Sequence, residues 1–114
     1  MKSISSFEQW YTEVQKIISQ VNIILSKYDL TIEQFLLIEQ IIDNQIETPS
    51  ELARALKVST PAVSRKLNVL LAKKFIYKEH DQTIDQRLVK IKITDKGKQC
   101  YLGVKNELEV ANIV

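Results

Sequence analysis

One short stretch constrains this chain more than any other. Leu88-Val-Lys-Ile-Lys-Ile-Thr94 sets Val89, Ile91 and Ile93 against Lys90 and Lys92, the period-two alternation of a half-buried strand. Phe75-Ile-Tyr-Lys-Glu-His80 reads as its partner, and the polar run from Asp81 to Arg87 as the hairpin loop between them. Everything else carries helix punctuation. Ser5-x-x-Glu8, Thr31-x-x-Gln34 and Thr48-x-x-Glu51 have capping-box spacing, in which side chains at both ends satisfy orphan amide donors. Leu30 and Phe35 can staple the second start, and Pro49 and Pro61 suit first helical positions, where a missing N–H costs nothing. The spacing predicts helices over about 6–28, 31–44, 49–56, 60–74 and 95–112.

Three or four helices, a β-hairpin and a closing helix is the order of a winged helix-turn-helix, mainly α with a small β-hairpin. Residues 49–74 then form the helix-turn-helix and 75–94 the wing. The helices of 1–28 and 95–114 are assigned to dimerisation. A chain of 114 residues with 45% hydrophobic and 26% charged side chains fits one globular domain and excludes disorder as a whole. No stretch approaches the ~18–20 apolar residues of a membrane span, and MKSISSFEQW is too polar for a signal peptide. The lone Cys100 excludes an internal disulfide and fits a reducing compartment, so a cytoplasmic location and no membrane partner are expected. With two glycines, Gly97 and Gly103, there is no glycine-rich phosphate loop or dinucleotide fingerprint. One histidine and one cysteine exclude the usual Cys/His zinc site within a chain, so neither metal nor cofactor is expected. His80, beside Glu79 and Asp81, reads as a surface histidine at a strand end rather than half a metal site. No nucleophile elbow surrounds any serine, and an enzyme is not expected.

The net charge of +2 hides a polarity. Residues 1–51 hold three lysines against eight acids; residues 52–114 hold 13 basic and 6 acidic residues. From Leu52 to Lys78 there is no acid at all, while Arg54, Lys57, Arg65, Lys66, Lys73, Lys74 and Lys78 are basic. A solvated face normally mixes signs, so this run points to a surface that meets a polyanion.

At about 100° per residue, Val63, Leu67 and Leu70 cluster on one side of the fourth helix, where Leu52, Ala53 and Leu56 of the third can pack on them. Pro61, Ala62, Arg65, Asn68 and Ala72 fall opposite, on a narrow face of small residues suited to a major groove. Arginine can bond guanine in bidentate fashion and asparagine adenine. Ser59, Thr60 and Ser64 lie near the helix start, where hydroxyls and free amides suit phosphate oxygens. Lys57, Lys66, Lys73 and Lys90 are available for further phosphates. In the loop, Arg87 can enter a minor groove narrowed by A·T pairs, and Asp85 can fix its direction by a charge-assisted bond.

Pro49-Ser-Glu-Leu-Ala-Arg-Ala-Leu56, Thr60-Pro-Ala-Val-Ser-Arg65, Asp85-Gln-Arg87 and Ile93-Thr-Asp-Lys-Gly-Lys98, in that order, resemble the MarR family of bacterial transcription regulators over roughly residues 30–100. The resemblance implies that the fourth helix reads the major groove and the Asp-x-Arg wing the minor groove. It implies Ser64, Arg65 and Arg87 as DNA contacts and Asp85 as the wing's organiser; Asn68 rests on the helical face alone. Lys57 and Lys74 stand where the family often has glycine, in the helix-turn-helix turn and after the recognition helix. Lysine tolerates positive φ poorly. In brevity the chain is similar to the SarA-type branch, whose dimers rely mainly on N-terminal helices. A small-molecule effector is usual in the resembled family. Trp10, Tyr11 and Tyr28 could line its cleft, but no ligand chemistry is identified here, and Cys100 reads as a buried thiol rather than an oxidant sensor.

Phe7, Tyr11, Val14, Ile18, Val21, Leu25 and Tyr28 follow steps of four and three along the first helix, beside a second row of Trp10, Ile17 and Ile24. One row docks a helix on its own domain; two are more apolar surface than a monomer hides. One row, with Tyr101, Val104, Leu108 and Ile113 of the last helix, is therefore assigned to a homodimer. The expectation is a homodimeric regulator of transcription, a repressor on double-stranded DNA with a pseudo-palindromic operator. The rivals are a winged helix that binds an acidic protein and a non-specific architectural DNA-binding protein.

Overall fold

The computed structural model describes residues 6–80 and 89–114. Five helices and two strands follow in the order α1 (Phe7–Ser26), α2 (Ile32–Asp43), α3 (Pro49–Leu56), α4 (Thr60–Ala72), β1 (Ile76–His80), β2 (Val89–Ile93) and α5 (Asp95–Val110). Each predicted element is present, with bounds shifted by no more than about two residues. The mainly α fold with one antiparallel hairpin is the winged-helix arrangement expected from the element order.

Local chemistry explains the starts. Thr31 and Gln34 form a complete capping box at α2. Thr48 accepts the Glu51 amide at 3.3 Å at the start of α3, where Pro49 is the first helical residue. At α1 the cap is Ser6, which accepts the Gln9 amide at 3.1 Å; Ser5, expected to start this helix, lies outside the described residues. Ser59 caps α4, which puts Pro61 at its second position, still among the amides without a helical partner.

The helix ends hold a surprise. Lys57 and Lys74 both adopt left-handed backbone, at φ 56° and 65°. Each closes a Schellman motif: Val58 and Lys57 donate to the Ala53 and Arg54 carbonyls, and Phe75 and Lys74 to those of Leu70 and Leu71. Glycine is absent from both sites, yet the hydrogen bonds form, and burial of Phe75 in the core offsets the strained lysine before it.

The core gathers Leu25, Leu37, Ile38, Leu52, Val63, Leu70, Phe75, Ile76, Ile91 and Val104, drawn from every element. β1 and β2 pair from Ile76↔Ile93 to His80↔Val89. Ile91 donates its amide to the Glu47 carbonyl at 2.6 Å, and the Glu47 carboxylate pairs with Lys92, so the segment entering α3 lies along the free edge of the wing. α5 approaches closely: Thr94 donates its amide to the Phe75 carbonyl (3.1 Å), shares its hydroxyl between the Lys74 (2.7 Å) and Phe75 (3.0 Å) carbonyls, and accepts the Gly97 amide as the cap of α5. A Cβ at Gly97 would overlap that carbonyl oxygen. At the other end, a Cβ at Gly103 would fall 2.7 Å from the Tyr28 hydroxyl, which donates to Glu107 at 2.6 Å.

Tyr101, Val104 and Leu108, expected at a dimer contact, are instead buried in this protomer's own core. Tyr101 stacks on Phe35 at 5.6 Å and donates to Asp43 at 2.6 Å; burial first, then that bond, holds its phenol protonated far above the ordinary range. The reason is geometric. α5 carries one continuous apolar row, and its own domain needs it. α1 behaves oppositely: only Ile24 and Leu25 are buried, and the helix runs out to give extents of 59 × 27 × 21 Å. No described helix is long and apolar enough to cross a membrane.

Two substitutions test these backbone assignments at fixed protein concentration. Gly97→Ala is expected to destabilise by about 2–3 kcal/mol, since the obstacle is backbone, and to lower the thermal midpoint by roughly 10 °C. Lys74→Gly is expected to do the reverse by about 0.5–1 kcal/mol, relief of left-handed strain outweighing the greater freedom of glycine in the unfolded chain. Calorimetric melting of both variants checks the signs.

Candidate nucleic-acid interface

α3 and α4 pack through Leu52 and Ala53 on one helix and Val63, Leu67 and Leu70 on the other, all buried. That contact turns the opposite face of α4 outward. Pro61, Arg65, Asn68, Val69 and Ala72 are exposed along it, with Ala62, Ser64 and Lys66 half-buried at its margins. Ser59 and Thr60 are exposed at the helix start, where the Ser59 hydroxyl accepts the Ala62 amide at 3.3 Å. α4 has no acid in its first turn, whereas α1, α2, α3 and α5 carry Glu8, Glu33, Glu51 and Asp95. Its positive N-terminal end is left for an external anion.

Arg54, Lys57 and Arg65 are exposed and Lys66 is half-buried. None of the four forms an ion pair among the described residues, so their charges face solvent uncancelled. Lys90 is exposed on β2 opposite Glu79. Lys73 is a correction to the expected set. Its ammonium donates to the Asp29 carbonyl at 2.6 Å and to the buried Gln34 side chain at 3.3 Å, with the Asp29 carboxylate at 3.5 Å. It fastens the end of α4 to the corner between α1 and α2 and is not free for a phosphate. Asp85 and Arg87 lie outside the described residues. Val69, 42% exposed, also lies in this face, a residue that the helical-face reading of the sequence did not include.

The apolar rows of α1 are open. Phe7 is 77% exposed, Tyr11 50%, Ile17 47%, Ile18 45% and Trp10 37%, with Val14 half-buried. Phe7 lies 5.5 Å from Trp10 and 6.3 Å from Tyr11 between ring centroids. On α5, Leu102 and Val110 are the exposed apolar residues that the sequence reading passed over. Tyr11 and Tyr28 stand about 25 Å apart along the helix direction, and Tyr28 is engaged by Glu107, so they do not share one cleft within a protomer. Lys27 and then Tyr28 hold the Glu107 carboxyl below its usual range. Burial pushes the Cys100 thiol up, against a smaller influence of Lys96, which is the wrong direction for a reactive thiolate. No group of three or more metal-ligating side chains occurs among the described residues.

Residues 19–102 match the family described as transcriptional regulator SarA/Rot. An uncharacterized HTH-type transcriptional regulator of Bacillus subtilis, YhbI, is 26% identical over 102 residues, covering 86% of this chain and 66% of the relative. The chain thus spans just under two thirds of that protein's length. Among solved structures, a mutant of Staphylococcus aureus MepR bound to an oligodeoxyribonucleotide superposes with a TM-score of 0.82 at 22% identity, over 96% of this chain and 80% of the other. YusO of Bacillus subtilis gives 0.78 at 21% identity, over 95% and 82%. A MarR mutant from E. coli complexed with operator DNA gives 0.72 at 26% identity, over 86% and 69%.

The division between Lys73 and its basic neighbours is open to a direct test. Lys73→Ala is expected to cost about 1 kcal/mol of stability, since it removes the ammonium that bonds the Asp29 carbonyl and the Gln34 side chain, and to elute unchanged from immobilised heparin. Lys66→Ala is expected to melt within ~0.5 kcal/mol of the parent and to elute at lower salt. Equal retention of the two variants would contradict the assignment.

Proposed function

The chain belongs to the SarA/Rot family of transcriptional regulators, and from that premise we propose that it acts as a homodimeric, sequence-specific repressor on a pseudo-palindromic operator. The observation that carries this reading is the outward face of α4, cleared of acids and bearing Arg65 and Asn68. Arg65 and Asn68 read base edges in the major groove, with Ala62 small enough to allow close approach. Ser59, Thr60 and Ser64 and the amides at the start of α4 take phosphate oxygens, and Lys57, Lys66 and Lys90 add charge around them. Arg87 enters the flanking minor groove, oriented by Asp85. The winged-helix relatives MepR and MarR, both solved with DNA, support duplex DNA as the partner.

Dimerisation follows from α1. Phe7, Trp10, Tyr11, Val14, Ile17 and Ile18 form an apolar surface that none of the described residues of the same chain covers fully, and a second copy related by a two-fold axis buries it. Such a dimer sets two recognition helices about 34 Å apart, in successive major grooves on one side of the duplex. Repression is the simplest consequence, since occupancy of the operator suffices for it.

Selection from a random duplex library at physiological salt tests the reading. Enrichment of an inverted repeat with half-sites about one helical turn apart is the expected result. Binding without enrichment would indicate an architectural role, and no retention even at low salt would turn attention to an acidic protein partner. With the selected duplex, Arg65→Ala is expected to flatten discrimination at one base pair by about 1–3 kcal/mol. Arg87→Ala is expected to weaken binding mainly where the flank is A·T-rich. Each lysine that neutralises a phosphate contributes about 0.9 to the logarithmic salt slope.

A further inference from the structure

Val69 is the one large hydrophobic residue of α4 that is exposed, and it belongs neither to the core nor to the residues packed against it. A β-branched residue at an exposed position inside a helix is a poor choice for helix stability, because it loses side-chain freedom there. Its neighbours on the stripe are Arg65, one turn before, Asn68 beside it and Ala72, three residues on, all exposed. Ala72 is small, so nothing large beyond Val69 holds the helix away from a surface that Arg65 reaches.

We infer that Val69 is a specificity-determining residue that reads the C5 methyl group of a thymine; this rests on the proposed reading of duplex DNA by α4. Thymine alone among the four bases presents an apolar group in the major groove, and a short branched side chain without polar atoms complements it. Four residues at 1.5 Å each place Val69 about 6 Å along the helix from Arg65. Base pairs stack every ~3.4 Å, so the thymine lies about two steps from the base pair read by Arg65. The pair acts as a polar and an apolar reader on one stripe, and Val69 excludes cytosine at its step because an amino group would lose its water there without gaining a partner.

The test uses the intact protein and the duplex that it selects, with each thymine replaced singly by deoxyuridine, which pairs alike and lacks only the methyl. One symmetry-related pair of positions is expected to lose about four-fold in affinity per half-site, from the apolar contact removed. Val69→Ala, which favours the helix, is expected to abolish that sensitivity and the thymine preference at the same step, while the base pair read by Arg65 keeps its discrimination. Indifference to every uridine, or a uridine effect that survives Val69→Ala, would overturn the inference and leave sequence-specific binding standing. A library that enriches no sequence would instead remove the DNA reading, and this inference with it.

Discussion

The Phe75 carbonyl is the point on which the arrangement turns. It receives the amide of Thr94, shares the Thr94 hydroxyl with the Lys74 carbonyl, and leaves room for α5 only because residue 97 has no side chain, while the Phe75 amide closes the α4 exit on the Leu70 carbonyl. α4, the wing and α5 therefore meet within a few ångströms of one backbone oxygen. Phe75 itself is buried beneath this junction, and Lys96 lies over its ring at 4.9 Å. Backbone hydrogen bonds formed away from water are costly to break, so the orientation of α4 relative to the wing is held by groups that side-chain motion does not relax.

Lys73 adds the third attachment. Through Asp29 and Gln34 it ties the same end of α4 to the α1–α2 corner, and Gln34 also accepts the Thr31 amide within its capping box. The end of α4 and the start of α2 thus share a buried polar side chain. A basic residue in the acid-free run consequently serves the interior, while Arg54, Lys57, Arg65 and Lys66 keep their charges outward. Charge counted along a sequence cannot separate these roles; the distance to a carbonyl can.

The molecule also divides its apolar surface. α5 spends its single row on the domain core, whereas α1 buries only its last turns and leaves two rows of aromatic and branched residues in the open. Tyr28, Lys27 and Glu107 join the two helices where they do meet, over the glycine at 103 that lets the tyrosine ring come close. The same kind of periodicity in two helices had two outcomes, and the number of rows distinguished them.

Much of this was legible beforehand. Helix starts depend on side chains within four residues of the cap, and strand alternation on neighbours two apart, so element order, the core faces of α3 and α4 and the outward place of Arg65 and Asn68 could be read from local pattern. What the tertiary structure decided depended on partners far apart in the chain: Lys73 with Asp29 and Gln34, Thr94 with Phe75, Tyr101 with Phe35 and Asp43. It also decided that Lys57 and Lys74 would accept left-handed backbone, because the hydrogen bonds and the burial of Phe75 that offset the strain exist only once the helices are packed. Local spacing determines which elements form, since their energetics are short-ranged. Which charged or apolar groups remain free is determined only after the elements have covered one another.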